Sequence, residues 1–344
     1  MKPGLNKILA VQFKYFGDAV LMTPALRVLR EHLGAGQLHV LVAEDTAPLL
    51  EHLKWIDRVW AMPRKRGKAG LRRSWPVIQA LRRERFDASV DFASNDRGAL
   101  VSLMVGAPHR LGWDQPGGFW GRRWIYTDRV PLPPEEVHES LRLEKLLEGW
   151  GIKSQGRFPV EIQPDPALAA KAAEIVPVGN VVLCHMASSQ PKKEWPPSHW
   201  QDFHRLATAA GYHLLYTTAR GGRERELMAD YLKRVPEAQI LPEMPDLALF
   251  LAVLSRSQAF VSADTGPLHF AAGLRLPTVS LFGPSASSRW APLGPRHRAL
   301  AAGQCVCDVH DAICKAQGHC MARLAPEKVL LALNELLRAG RTQG

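Results

Sequence analysis

No stretch of the 344 residues approaches the roughly 18 apolar residues that a membrane-spanning helix needs. Met1 to Asn6 carries only Lys2 and lacks the apolar core of a signal peptide. The expectation is a chain that stays in the cytoplasm, where it is made. No Gly-x-Gly-x-x-Gly run follows a strand pattern, and no Gly-Lys-Ser/Thr closes a glycine-rich run. Neither a dinucleotide fingerprint nor a Walker loop is therefore present. Helix-turn-helix, RNA-recognition and zinc-finger patterns are missing, so only charge would favour nucleic acid, and no nucleic-acid partner is expected. Short repeats and low-complexity segments are absent too. Cysteine is scarce outside one stretch. Cys184 sits alone in an apolar strand pattern, whereas Cys305, Cys307, Cys314 and Cys320 crowd into sixteen residues with His310 and His319. Their spacing lacks the paired C-x2-C knuckles of standard zinc sites, and a cytoplasmic location argues against disulfides. Reduced thiols are expected, with a structural metal at these four cysteines as the alternative.

What is present is ordinary globular composition, with 46% hydrophobic and 22% charged residues. The length suits two domains of about 150 residues. The formal charge of +11 is uneven. Between Arg58 and Arg85 there are ten basic residues, Arg64, Lys65, Arg66 and Lys68 among them, against one acid, Glu84. Trp60 and Trp75 are interleaved. Such a segment is either a solvated helix face with a loop or a surface for a polyanion, be it nucleic acid, acidic lipid or a phosphorylated substrate.

Apolar runs alternate with helical periodicity throughout, which predicts βαβ units and parallel sheets. The first strand is read over Lys7–Phe13, followed by a loop to Asp18 and a helix through Leu33. Further strands are read at Gln37–Val42, Arg58–Ala61 and Asp87–Phe92, with helices at Pro76–Arg85, Arg97–Val105 and Val137–Trp150. The Gly-, Pro- and Trp-rich stretch Pro108–Pro134 reads mostly as loop. Prolines at Gln163–Pro166 mark a linker. A second alternating series follows, from the strand Asn180–His185 to the closing helix Pro326–Arg338. The organisation expected is residues 1–163, residues 164–325, and a terminal helix and tail, 326–344, packing back on the N-terminal domain. Two such α/β halves facing each other would leave a ligand cleft at the carboxyl ends of their strands.

Three segments can carry chemistry there. Gly17-Asp18 follows the first strand at the mouth of a helix, where glycine leaves room for a ligand. Asp18 is either an N-capping carboxylate or a general base taking a proton from an attacking hydroxyl. Asp264-Thr265-Gly266-Pro267-Leu268-His269 opens a helix after a strand, where free N–H groups suit a diphosphate; His269 lies one turn on, on the same face. The bland reading is an aspartate cap and a partly buried histidine. His185 to Pro196 is a loop in which Ser188 and Ser189 offer hydroxyls and Lys192 and Lys193 offer cations. Asn95 and Arg97 follow the strand Asp87–Phe92 as weaker candidates for acceptor contacts, and a solvated helix start is the reading favoured for them.

Taken together, Ile8 to Arg30, the loop ending in Lys193-Glu-Trp-Pro196, and Ser262 to Pro284 resemble glycosyltransferase family 9, the ADP-heptose:lipopolysaccharide heptosyltransferases. Phe13-Lys-Tyr-Phe-Gly-Asp18 looks most like the branch that adds the third heptose. The resemblance implies a GT-B fold, α/β with two Rossmann-like domains facing a central cleft: an acceptor-binding N-terminal domain and a nucleotide-sugar-binding C-terminal one. It implies inversion at the anomeric carbon without a metal or other cofactor, and Asp18 as base. Ser188, Ser189, Lys193, Met244, Asp264, Thr265, Gly266 and His269 would surround the nucleotide sugar, with Glu224 or Glu226 on the ribose. Gly17, Lys14, Asn95, Arg97, Arg64 and Arg66 would meet the acceptor.

The function so implied is transfer of heptose from ADP-heptose to the lipopolysaccharide inner core, at the cytoplasmic surface of the inner membrane. Two rivals stay open: a hexosyl or protein glycosyltransferase of the same fold, and a non-catalytic module that binds anionic glycolipid. Fold resemblance alone separates neither, because donor choice resides in a few pocket residues.

Overall fold

A computed structural model describes residues 5–63, 71–153, 156, 158–176, 181–217, 221–303, 305, 307, 314 and 319–341. The chain divides into two compact units, Met1–Gln163 and Pro164–Gly344.

The first unit runs β1 (Lys7–Gln12), α1 (Phe16–Leu21), α2 (Thr23–Leu33), β2 (Gln37–Ala43), β3 (Arg58–Met62), α3 (Leu71–Arg83), β4 (Ala88–Asp91), α4 (Asp96–Val105), β5 (His109–Asp114), α5 (Arg122–Ile125), β6 (Asp128–Pro131) and α6 (Glu139–Leu146). Its strands form one parallel sheet in the order β3-β2-β1-β4-β5-β6. Sheets covered by helices on both faces need strands apolar on both sides. Accordingly Ile8 to Val11 and all of β4 are buried. Leu9, Val11, Leu41, Trp60, Ile78, Leu81 and Val101 join in one core. Helix α2 places Leu26, Leu29 and Leu33 on its buried face and gives way to Gly34 at φ +53°. Strand order reverses between β1 and β4, and in open α/β sheets such a switch point opens the crevice where ligands bind.

The stretch Pro108–Pro134, expected as loop, contains β5, α5 and β6. Its glycine content misleads because Gly112 is needed inside a strand: a Cβ there would lie 2.6 Å from the Tyr126 ring.

The second unit runs α7 (Ala169–Ile175), β7 (Val181–His185), α8 (Pro197–Ala209), β8 (His213–Thr217), α9 (Gly222–Arg234), β9 (Gln239–Ile240), α10 (Leu247–Leu254), β10 (Ala259–Ala263), α11 (Gly266–Gly273), β11 (Thr278–Phe282), α12 (Ser287–Trp290), β12 (His297–Ala301) and α13 (Pro326–Arg341). Its strands, again all parallel, lie in the order β12-β11-β10-β7-β8-β9. The short β9 and the half-exposed β12 carry too little apolar signal to be read as strands from sequence.

The expected packing of the last helix on the N-terminal domain is corrected. Val329, Leu333 and Leu336 of α13 are buried with Trp195, Trp200 and Phe203 in the second unit's core. The helix lies along α8 and against β11 and β12. Polar groups fix the same placement: Trp195 Nε1 donates to the Leu324 carbonyl at 2.9 Å, and Tyr212 Oη to Asn334 Oδ1 at 2.6 Å. An amphipathic helix seats its stripe where apolar surface awaits cover, and α8 with the sheet provides it. Leu333→Ala is expected to lower the unfolding free energy by about 2–5 kcal/mol, read by denaturant titration. A loss below about 0.5 kcal/mol, the range of surface substitutions, would place α13 outside the core.

Candidate active site

In the first unit, β1 delivers the chain into Phe13-Lys14-Tyr15 and then α1. Asp18 is the third residue of α1 rather than its cap; its carboxylate reaches back to accept from the Tyr15 N–H at 3.3 Å. The reach-back satisfies one of the N–H groups that the start of a helix leaves without a partner. Gly17 and Asp18 are buried, while Lys14 is exposed. Burial pushes the Asp18 pKa up to about 6; Lys14 pulls against this and Glu139 adds to it. Glu139 opens α6, itself buried and ion-paired with Arg142 at 3.3 Å.

Beside β1 the neighbouring strand ends in a second buried carboxylate, which sequence reasoning passed over. Asp91 pairs in register with Val11 and is fully enclosed. Its Oδ1 accepts from the N–H groups of Ala93 (3.1 Å) and Ser94 (2.9 Å), and its Oδ2 from the Tyr126 hydroxyl (2.8 Å). Burial again dominates, lifting the Asp91 pKa to about 6 against those hydrogen bonds and Lys14. The Tyr126 phenol is pushed up by burial and by Asp91. Gly98 makes the approach possible, because a Cβ there would stand 2.1 Å from Asp91 Oδ2. A lone acid in the buried run Ala88–Ala93 was the available signal, masked by its reading as strand interior.

The turn built on Asp91 presents the other first-unit candidates. Asn95 Oδ1 accepts from the Gly98 N–H at 2.8 Å, so it caps α4. Arg97 is not simply solvated: its guanidinium lies over the Phe13 ring, 4.5 Å from the centroid, and donates to the Pro63 carbonyl at 3.1 Å. Arg64 and Arg66 lie outside the described residues.

In the second unit the β7 and β10 ends lie side by side, bringing residues more than seventy apart into contact. Lys193 Nζ pairs with Asp264 Oδ2 at 2.7 Å, and Ser188 Oγ donates to the Asp264 carbonyl at 3.5 Å. Ser188 is buried; Ser189 is exposed beside it. Lys192, a candidate cation, is buried and turned inward. Thr265, not Asp264, occupies the residue position before α11, without a side-chain bond to the helix, which begins at Gly266; His269 is buried on it. Arg223 and Glu194 were not anticipated as partners. Glu194 Oε1 accepts from the Ser188 N–H at 2.8 Å and pairs with Arg223 at 2.7 Å, while Arg223 also donates to the Ser188 carbonyl. This ties the first turn of α9 to the Ser188 loop. Glu224, one residue on, is half-buried, whereas Glu226 is exposed. Met244 is half-buried between β9 and α10. The second unit thus gathers a fixed ammonium, a hydroxyl and the N-terminal N–H groups of α11 around the end of β10, an arrangement suited to phosphate oxygens.

The cysteine stretch is a thiol cluster. Cys307 and Cys314 Sγ stand 3.7 Å apart, and burial with the neighbouring thiols pushes Cys320 up to about 12. Among the described residues no three His, Cys, Asp or Glu side chains are grouped to hold a metal ion. His310 lies outside the described residues. Among those same residues no helix is long and apolar enough to cross a membrane.

The family model for glycosyltransferase family 9 (heptosyltransferase) matches residues 74–316. Lipopolysaccharide heptosyltransferase 3 of Escherichia coli is 24% identical over 295 residues, covering 81% of this chain and 84% of the relative. A family 9 glycosyl transferase from Veillonella parvula superposes with a TM-score of 0.83 at 19% identity, over 98% of this chain and 99% of that one. The E. coli ADP-heptose LPS heptosyltransferase II superposes with a TM-score of 0.79 at 21% identity, over 97% and 99%. These likenesses establish the GT-B architecture of two Rossmann-like α/β units.

A carboxyl whose pKa is higher in the folded state binds its proton more tightly there. Native stability then falls as pH rises from the unfolded value, 3.8, to about 6, and the deficit is constant above that. Asp18→Asn removes the deficit. Its stability advantage over wild type is expected to grow between those two pH values and level off near neutral pH, at on the order of 2–3 kcal/mol. Chemical denaturation across this range reads it; a pH-independent difference would show that Asp18 is not desolvated.

Proposed function

The chain belongs to glycosyltransferase family 9 and is a glycosyltransferase, and on that premise we propose that it moves heptose from ADP-heptose to a hydroxyl of the lipopolysaccharide inner core, with inversion. The observation that carries this reading is Asp18, a buried carboxylate at the exit of β1 whose pKa of about 6 suits proton abstraction near neutral pH. The names of the relatives, lipopolysaccharide heptosyltransferase 3 and ADP-heptose LPS heptosyltransferase II, supply the substrate classes.

In the proposed step Asp18 takes the proton of the acceptor hydroxyl as its oxygen attacks the anomeric carbon. The bond from that carbon to the β-phosphate oxygen breaks, and ADP leaves with the electron pair. Inversion follows from attack on the face opposite the leaving group. Charge grows on the departing diphosphate, and Lys193 with the N–H groups of α11 at Gly266 stabilises it. Ser188, Ser189, Thr265, His269 and Met244 line the donor in this reading. Glu224, the less exposed of the two acids on α9, takes the ribose hydroxyls in preference to Glu226. Gly17, Lys14, Asn95 and Arg97 meet the acceptor, joined by Arg64 and Arg66 of the basic segment. The reaction so written needs no metal or other cofactor. The enzyme works in the cytoplasm, peripheral to the inner membrane that carries its acceptor.

The test is mass spectrometry of lipopolysaccharide from cells lacking the gene, complemented by wild type or by Asp18→Asn. One heptose mass is expected to be lost, then restored by wild type alone. With purified protein, ADP-heptose and the truncated lipopolysaccharide, Asp18→Asn is expected to lower kcat about 10²–10⁴-fold. Wild-type kcat/KM is expected to rise with pH through about 6 and then level off, since only the ionised base is active. An unchanged core mass overturns the heptosyl assignment.

A further inference from the structure

The helices α3, α4 and α5 lie in sequence on the first unit, α3 packed on α4 and α4 on α5. Arg82 Nη1 ties the first pair together by donating to the Met104 carbonyl at 3.1 Å. Their outer surface does not look like an ordinary solvated one. Trp120 is 90% exposed and Trp124 64% exposed, their rings edge to face at 5.4 Å. Leu100 and Leu103, three apart on α4, are exposed on the helix that α5 packs against, and Trp75 is exposed on α3. Large apolar side chains clustered in water mark a surface that meets something else.

Charge says what that is. Exposed arginines accompany the apolar groups: Arg72, Arg73, Arg82 and Arg83 on α3 and Arg123 on α5. The nearby acids are already engaged, Asp96 by Arg122 at 3.1 Å and Asp114 by Arg129 at 3.3 Å and Arg123 at 3.5 Å. Indole rings with a polar N–H edge favour the boundary between headgroups and acyl chains. Arginine forks pair with lipid phosphates, and a basic surface is drawn to an anionic leaflet. We propose that this face docks on an anionic lipid bilayer, Trp120 and Trp124 entering the headgroup boundary while the α3 arginines hold the phosphates. The surface does not depend on the reaction assigned above, and its test reads no catalysis.

The full-length protein is sedimented with vesicles of phosphatidylcholine alone and with phosphatidylglycerol added, none containing lipopolysaccharide, so that lipid headgroups and glycosyl acceptor are distinguished. Binding is expected only to the anionic vesicles and is expected to weaken with salt. The pair Arg72→Ala and Arg73→Ala is expected to reduce it about twenty-fivefold, from roughly fivefold per arginine. Trp120→Ser with Trp124→Ser is expected to reduce it by about tenfold or more while circular dichroism stays that of wild type. Should that pair misfold, Trp120→Ser alone serves, since its ring is almost wholly in solvent. Failure to sediment with anionic vesicles overturns the proposal, as do tryptophan variants that bind like wild type. A concentration-dependent dimer abolished by Trp120→Ser, with vesicle binding intact, would assign the face to a second copy instead.

Discussion

A carboxylate cannot be enclosed at the end of a strand without partners, because removing it from water is far more unfavourable than any packing gained. Asp91 is enclosed in this way, and the first unit is shaped around it. Two successive backbone N–H groups turn toward one oxygen and a phenol toward the other. To offer its N–H, Ser94 adopts φ +45°, a conformation non-glycine residues avoid. Its hydroxyl then binds the Asp91 carbonyl and accepts from the Trp113 N–H, which carries the constraint into β5. The turn before α4 is therefore held from three sides, and Asn95 and Arg97 leave it in set directions. Since β1 is paired beside β4, Phe13 lies under Arg97, and Lys14 acts on both Asp91 and Asp18.

The second unit solves a related problem with ion pairs. Lys193 is held by Asp264, and the Ser188 loop is clamped by Glu194 and Arg223. Ordering a long side chain usually opposes binding, and a lysine already fixed has surrendered that freedom during folding. In the proposed reaction a donor phosphate at Lys193 would compete with the Asp264 carboxylate for the ammonium. The pair thus trades intrinsic attraction for placement, whereas the α11 N–H groups offer fixed partial charge that needs no rearrangement.

Much of this was legible from residue patterns, and the rest fails for identifiable reasons. The parallel strands announce themselves as runs of Ile, Val, Leu and Ala because both faces are covered. Segments β5 and β6 were missed because Gly112 and the prolines around them signal loops, although that glycine serves to admit the Tyr126 ring. Asp18, Lys193 and Asp264 stand out as candidates because they follow strands, where α/β sheets place chemistry. Asp91 follows the same rule but sits one residue inside the strand's apolar run, and only the tertiary approach of Tyr126 and Gly98 reveals it. Arg223 carries no signal of its own on α9, because its partners lie in a loop more than thirty residues away. The destination of α13 was misjudged because periodicity shows that a helix has an apolar stripe and not which surface receives it.

That helix has a bearing on how the chain is made. The first unit has all its strands by Pro131 and is complete by Gln163, so it can assemble while the remainder is still being translated. The second cannot. Trp195 and Trp200 emerge early in its synthesis, yet the side chains that cover them, from Val329 to Leu336, follow more than 120 residues later. Until they do, a tryptophan-rich surface stands open on the nascent second half, apolar area that the finished first half has already enclosed.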